Sequence, residues 1–226
     1  MLFYLPDFAK PILPETEARH VLQVLRMKTG DVLDVTDAAG KKGKARLLNE
    51  KPGNCLLQVL ESETTDRLWT GEFWLAVAPT KNLDRMEWLV EKATEIGCQG
   101  FHFFRSRRTE RNQLNTERLN KIALSAMKQS GQFFLPQIHW HDKLQLVPFG
   151  EFNRIITADL SAKETKIKQG KHEKILLLIG PEGDFTPEEL DFLAEKKTES
   201  LRFLPQVLRT ETAALYALML ARSSAG

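Results

Sequence analysis

The sequence predicts an α/β protein in two parts: a small β-barrel, then a parallel sheet with helices on both faces. Three observations carry this. Strand patterns broken by Gly- and Pro-containing turns fill the chain from Met1 to about Arg67, the spacing of a small barrel. From Phe73 onward, apolar strand runs alternate with helical periodicity, which means βα units and a parallel sheet. Hydrophobic residues make up 42% and charged residues 27% of the 226 positions, enough for a core that needs no staple.

In the first part, Pro14 opens a helical stretch from Glu15 to Leu25. The turn Thr29-Gly30-Asp31 leads into a strand from Val32 to Val35, and Ala38-Ala39-Gly40 is turn-like. Lys44 to Leu48 continues as strand, and Pro52-Gly53-Asn54 turns into Cys55 to Leu60. Each break uses residues suited to turn geometry. The boundary is expected between Asp66 and Gly71, giving domains 1–68 and 69–226.

The second part opens with the apolar strand Phe73 to Val77. The helix Asp84 to Ile96 follows, with Leu83, Met86, Leu89, Val90, Ala93 and Ile96 on one face and Gly97 as C-terminal cap. A strand spans Phe101 to Phe104, and a helix spans Thr116 to Gln129 with Leu119, Ile122, Ala123 and Ala126 inward. Buried strands are expected at Ile155 to Ala158 and Ile175 to Ile179. Thr186 is an N-cap with Pro187 at the first helical position and Glu189 completing a capping box. Leu201 to Leu204 reads as a last strand, and Thr212 to Ala221 as a last helix.

Several chemistries are excluded. The formal charge is only +2, so a nucleic-acid site must be a local patch. Cys55 and Cys98 lie far apart, which argues for reduced thiols and against a zinc cluster or disulfide framework. The N-terminus has no signal-peptide pattern. The longest apolar run, Ala213 to Ala221, is short of the roughly 20 residues of a membrane span, so a cytoplasmic protein is expected. There is no phosphate-binding G-x-x-x-x-G-K-[ST], no G-x-G-x-x-G and no G-x-S-x-G. His139-Trp140-His141 would share a strand face, but they lack a third ligand; a surface loop is the plainer reading, and no metal is expected.

Two polar turns remain. Gly180-Pro181-Glu182-Gly183-Asp184-Phe185 follows a buried strand, where glycines let a backbone approach a ligand and the next helix offers free N–H groups. Pro205 to Ala213 places Arg209, Thr210, Glu211 and Thr212 before an apolar helix. Ordinary capping by Thr210 or Thr212, with Glu211 near the positive helix end, is the alternative.

Together these segments resemble the SPOUT methyltransferases and, more closely, the RsmE family, which methylates N3 of a uridine in bacterial small-subunit ribosomal RNA. The resemblance also covers His20-Val21, Val24-Leu25-Arg26, Gly30-Asp31, the helix Glu91 to Gly97, the loop Ser106 to Arg111, Gln129-Ser130 and Leu135-Pro136. Asp184 and Leu204 stand where glycine is common in the family, and Gln132 where arginine is usual, an RNA contact that Lys128 could take over.

The resemblance implies a trefoil-knotted SPOUT sheet, a PUA-like N-terminal barrel, and a homodimer acting on 16S ribosomal RNA in the small subunit or its precursor. It implies S-adenosylmethionine held by Ala158, Ile179, Gly180, Glu182, Gly183, Leu204, Val207, Leu208, Thr210 and Ala213. Arg209 and Glu211 are the implied catalytic pair. Expected RNA contacts are Arg26, Lys28 and Lys42 in the barrel, with Arg105, Arg107, Arg108 and Arg111 in the second domain, since phosphates favour such clusters. A ribose 2′-O-methyltransferase of ribosomal or transfer RNA, and a non-catalytic ribosome-assembly protein, are the competing readings.

Overall fold

The computed structural model describes residues 1–67, 71–109, 113–163, 167 and 173–223. Contacts divide the chain into two compact units, Met1–Leu68 with Leu124–Leu135, and Trp69–Ala123 with Pro136–Gly226.

The first unit contains β1 (Leu2–Tyr4), β2 (Ile12–Leu13), α1 (Glu15–Arg19), β3 (Val32–Thr36), β4 (Lys41–Leu47) and β5 (Cys55–Thr64). Its sheet runs β1-β3-β4-β5-β2. The β1–β3 pair is parallel and the others are antiparallel. The helical stretch expected over 15–25 is α1 continued by a wider π-helical turn, His20–Val24. Alternate strand residues and this helix bury Phe3, Leu5, Val21, Val35, Leu47 and Leu57 in one core. The edge strands β1 and β2, three and two residues long, are too short to show a period.

The turn at Ala38 to Gly40 receives the segment ending at Leu135. Ala39 bridges Phe134, and Gly40 N donates to Phe133 O at 2.9 Å. Gly40 has φ +105°, and a Cβ there would lie 2.6 Å from the Phe134 ring, so only glycine fits. Buried Glu17 accepts from Tyr4 N at 3.2 Å and from Lys128 Nζ. Lys128, which the Gln132 departure offered as an alternative RNA contact, is thus held in an ion pair with Glu17.

The second unit contains β6 (Glu72–Val77), α2 (Leu83–Ile96), β7 (Gly100–Phe104), most of α3 (Thr116–Gln129), β8 (Gln137–His141), β9 (Arg154–Ala158), β10 (Lys174–Ile179), α4 (Pro187–Glu195), β11 (Glu199–Leu201) and α5 (Thr210–Ser223). The sheet order is β11-β9-β10-β6-β7-β8, parallel throughout. Every residue of β7 is buried, as parallel strands covered on both faces require. On one face Trp74, Ala76, Leu176 and Leu178 pack with Phe104, Phe185 and Leu193. Elsewhere on the sheet, α5 packs against α2, β6 and β10. β10 inserts between β6 and β9, both laid down earlier, and α5 returns from edge strand β11 to the sheet centre. Gly97 caps α2 at φ 89°, as expected.

His139 and His141 lie on strand β8, not on the expected surface loop. The ring of His102 of β7 stacks against those of Trp74 and His139, with centroids 5.1 Å from each, and its Nδ1 is 2.9 Å from His141 Nε2. Its Nε2 is buried without a hydrogen-bond partner among the described residues. Burial, aided by His141, His139 and Lys174, pushes the His102 pKa down to about 3. The unfolded chain binds this proton near the ordinary value of about 6.5, the folded chain only near 3. The stability linked to His102 is thus complete above about pH 6.5 and is lost as pH falls toward 3. We expect unfolding free energy from urea titrations to drop between pH 7 and 4, with His102 contributing up to about 1.4 kcal/mol per pH unit. His102→Gln should flatten that slope; equal slopes in both proteins would remove His102 from the effect.

Candidate active site

Ligand sites in open parallel sheets lie beyond the carboxyl ends of the strands. Here β11, β9 and β10 are neighbours, so the loops that follow them gather at one end of the sheet. Ala158 ends β9, and Asp159 N donates to Leu201 O at 2.9 Å. Burial opposes charge on Asp159, but hydrogen bonds from Ser161 outweigh it and hold the carboxyl below its usual value. Ile179 ends β10, its carbonyl accepting from Ala78 N at 3.1 Å.

The loop after β10 closes tightly, with Asp184 N donating to Pro181 O at 3.0 Å. A Cβ on Gly180 would lie 2.9 Å from the Phe185 ring, which is itself core and stacked on Phe104. Gly180 therefore has no room for a side chain. Asp184 has φ 62°, the left-handed conformation that glycine favours and aspartate tolerates. Its Oδ1 accepts from Phe185 N at 2.7 Å. The departure from glycine at this position keeps a glycine-like backbone.

The next loop begins earlier than expected. β11 covers Glu199–Leu201, not Leu201 to Leu204, so Leu204 to Leu208 belong to the loop. Leu204 and Leu208 are half-buried, Val207 is 81% exposed and Arg209 is exposed. α5 starts at Thr210, two residues before the expected Thr212, with Ala213 N donating to Arg209 O at 2.8 Å. Neither threonine is the cap: Thr210 is already helical and buried, as are Glu211 and Ala213.

Glu211 is 7% exposed. One of its carboxylate oxygens is 3.7 Å from Arg85 Nε; the other, Oε2, is buried without a hydrogen-bond partner among the described residues. A buried acceptor left open is rare in a folded chain and points to a missing donor. Arg85, in the first turn of α2, also binds Glu182 Oε1 through Nη1 at 3.3 Å. Arg85 thus joins the two motif loops, and sequence reasoning missed it because α2 was legible only through its apolar face.

The arginine loop after β7 meets the same end of the sheet. Buried Glu189 accepts from Ser106 Oγ at 3.0 Å, Arg107 N at 2.9 Å and Thr186 N at 3.0 Å. The capping carboxylate thus also anchors this loop, a role its sequence signature did not reveal. The Arg108 guanidinium donates to Gly183 O. Arg105, Arg107 and Arg108 are exposed; Arg111 lies outside the described residues.

In the first unit, exposed Arg26 adopts φ 56°. Lys28 pairs with Glu50 at 3.1 Å, Lys42 with Glu63 at 3.1 Å and Lys44 with Glu61 at 3.3 Å. Lys42 also lies over the Phe133 ring. These lysines carry acidic partners that a phosphate must displace. Among the described residues, no group of three or more His, Cys, Asp or Glu could hold a metal ion, and no helix is long and apolar enough to cross a membrane.

Comparison with known proteins also finds two parts, with Leu124–Leu135 of the first unit falling within the longer match. A family model described as an RNA methyltransferase domain matches residues 68–222, and one described as an RNA methyltransferase PUA domain matches residues 13–60. The chain is 29% identical over 219 residues to ribosomal RNA small subunit methyltransferase E of Bacillus subtilis, covering 89% of this chain and 85% of that protein. Its structure is similar to that of a probable rRNA-methyltransferase from Porphyromonas gingivalis, with a TM-score of 0.89 and 34% identity over 99% and 98% of the two chains. It is also similar to a ribosomal RNA small subunit methyltransferase E from Neisseria gonorrhoeae bound to S-adenosyl methionine, with a TM-score of 0.84 and 26% identity over 98% and 96% of the chains.

Proposed function

Because the chain belongs to the RNA methyltransferase family, with the SPOUT-type sheet and PUA-like domain its motifs implied, we propose that it methylates N3 of a uridine in 16S ribosomal RNA with S-adenosylmethionine as donor. The observation that carries this reading is the pairing of two motif loops at one sheet end, around a buried carboxylate with an open acceptor oxygen.

The residues present fit the cofactor. Gly180 packs against the core ring of Phe185, which fixes the course of the loop after β10, and Leu204 and Leu208 offer half-buried apolar contacts. Ala158, Ile179, Glu182, Gly183, Val207, Thr210 and Ala213 complete the proposed set. Bound S-adenosylmethionine supplies an electrophilic methyl group, and transfer to nitrogen needs no metal. The chain must align N3 with that methyl and remove the N3 proton, because the neutral imide nitrogen is a poor nucleophile. Glu211 Oε2 is the proposed proton acceptor. Exposed Arg209, adjacent in sequence to this helix start, stabilises negative charge on a uracil oxygen.

Arg105, Arg107 and Arg108 bind RNA phosphates beside the site; Arg111, and Arg26, Lys28 and Lys42 of the PUA-like unit, are further proposed phosphate contacts. A ribosomal RNA substrate places the reaction in the cytoplasm. The working form is a homodimer, for which exposed Trp88, Val207 and Met219 offer apolar surface. Affinity for small-subunit RNA should fall steeply with salt, the log–log slope growing by about 0.7–0.9 per phosphate contact; a flat response in a filter-binding series would count against these patches.

The test is transfer of labelled methyl from S-adenosylmethionine to purified small ribosomal subunits that lack the modification, with a parallel calorimetric titration of the cofactor. Label in 16S RNA supports the reading. Cofactor binding without label in ribosomal RNA overturns the substrate assignment, and absence of binding overturns the cofactor assignment.

A further inference from the structure

Arg85 stands between the two acids of the motif loops. Its Nη1 is 3.3 Å from Glu182 Oε1, and its Nε is 3.7 Å from Glu211 Oε1. We propose that Arg85 is a positioning residue that holds the Glu211 carboxylate in place for proton removal, and ties it through Glu182 to the loop after β10. This rests on the functional reading above.

The geometry distinguishes this role from a simple staple. A base must be ionised yet keep a lone pair for the proton it takes. At 3.7 Å the Arg85–Glu211 contact is an ion pair too long for a hydrogen bond, so it supplies charge without occupying the acceptor. Glu211 Oε2 remains buried and open. The first turn of α5 adds its own partial positive charge in the same sense. Arg85 is itself only partly covered, its side chain 31% exposed against 9% for Glu211. Its replacement should therefore disturb the pair more than the core.

Two measurements test the proposal. The first is a double-mutant cycle on urea unfolding with Arg85→Gln, Glu211→Gln and the double variant. Arg85→Gln should lower the midpoint, and in the Glu211→Gln background lower it by less than roughly half as much, because the buried charge is gone. The second is single-turnover methyl transfer at saturating cofactor, with calorimetric titration of S-adenosylmethionine beside it. Arg85→Gln should slow transfer roughly ten- to hundredfold, and should slow it little further in the Glu211→Gln background. Arg85→Lys should restore most of the rate. Additive unfolding effects would overturn the proposal, and so would equal slowing by Arg85→Gln in both backgrounds. If the unsubstituted protein methylates no ribosomal RNA, the functional reading falls, while the unfolding cycle still decides whether Arg85 supports Glu211.

Discussion

Glu211→Gln is expected to slow methyl transfer to small-subunit RNA by about 10²- to 10⁴-fold, the range for loss of a positioned general base. The amide matches the carboxylate in shape but cannot take the N3 proton. Its packing loss is small, because Glu211 Oε2 has no partner to forfeit among the described residues, although the pair of Oε1 with Arg85 is lost. Arg209→Ala should cost about 10²- to 10³-fold, as loss of a donor to a developing oxyanion does. Arg209 is exposed, so the variant should keep the parent's thermal midpoint. Single-turnover rates at saturating cofactor, with melting curves beside them, check both. Near-unchanged turnover in the two variants would remove these roles from Arg209 and Glu211.

Glu189→Ala is expected to cause the largest loss of stability. Its carboxylate is 3% exposed and accepts from Ser106 Oγ, Arg107 N and Thr186 N. Truncation orphans these donors and breaks the capping box at Thr186. A single buried donor left unsatisfied costs about 1–3 kcal/mol, so a combined loss on the order of 4 kcal/mol is expected after partial access of water. At about 2–4 °C per kcal/mol for a chain of this size, the thermal midpoint should fall by roughly 8–16 °C. The arginine loop should loosen as well, weakening RNA binding even where the variant is folded. A midpoint within about 2 °C of the parent, less than 1 kcal/mol on that scale, would show that water or neighbouring groups replace Glu189.

Local chemistry explains what was legible in the sequence. The capping box at Thr186 and Glu189, the left-handed cap at Gly97 and the apolar faces of α2 and α3 are short-range patterns, and the structure has each of them. In the second unit, the strands that were missed or moved by more than a residue lie at sheet edges. β8 carries polar His139 and His141 and, among the described residues, pairs only with β7. β11 begins with Glu199 and Ser200 and, among the described residues, pairs only with β9, so the apolar stretch after it drew the expected strand downstream. The start of α5 at Thr210 shows the ambiguity of a row of capping-type residues. Arg85 reaching Glu182, and Glu189 reaching Ser106, span 97 and 83 positions. Such contacts depend on a strand order that places β10 between β6 and β9, which no periodicity encodes. The two motif loops were found by residue type and resemblance; the arginine that joins them required the fold.

The most direct test of the account is the position of the methyl group on the RNA. Small subunits lacking the modification, treated with the protein and S-adenosylmethionine, are digested to nucleosides and analysed by mass spectrometry against synthetic standards. The account predicts N3-methyluridine from 16S RNA, formed by the parent protein and greatly reduced with Glu211→Gln. A methyl on a ribose 2′-oxygen, or no methylated nucleoside, would contradict it.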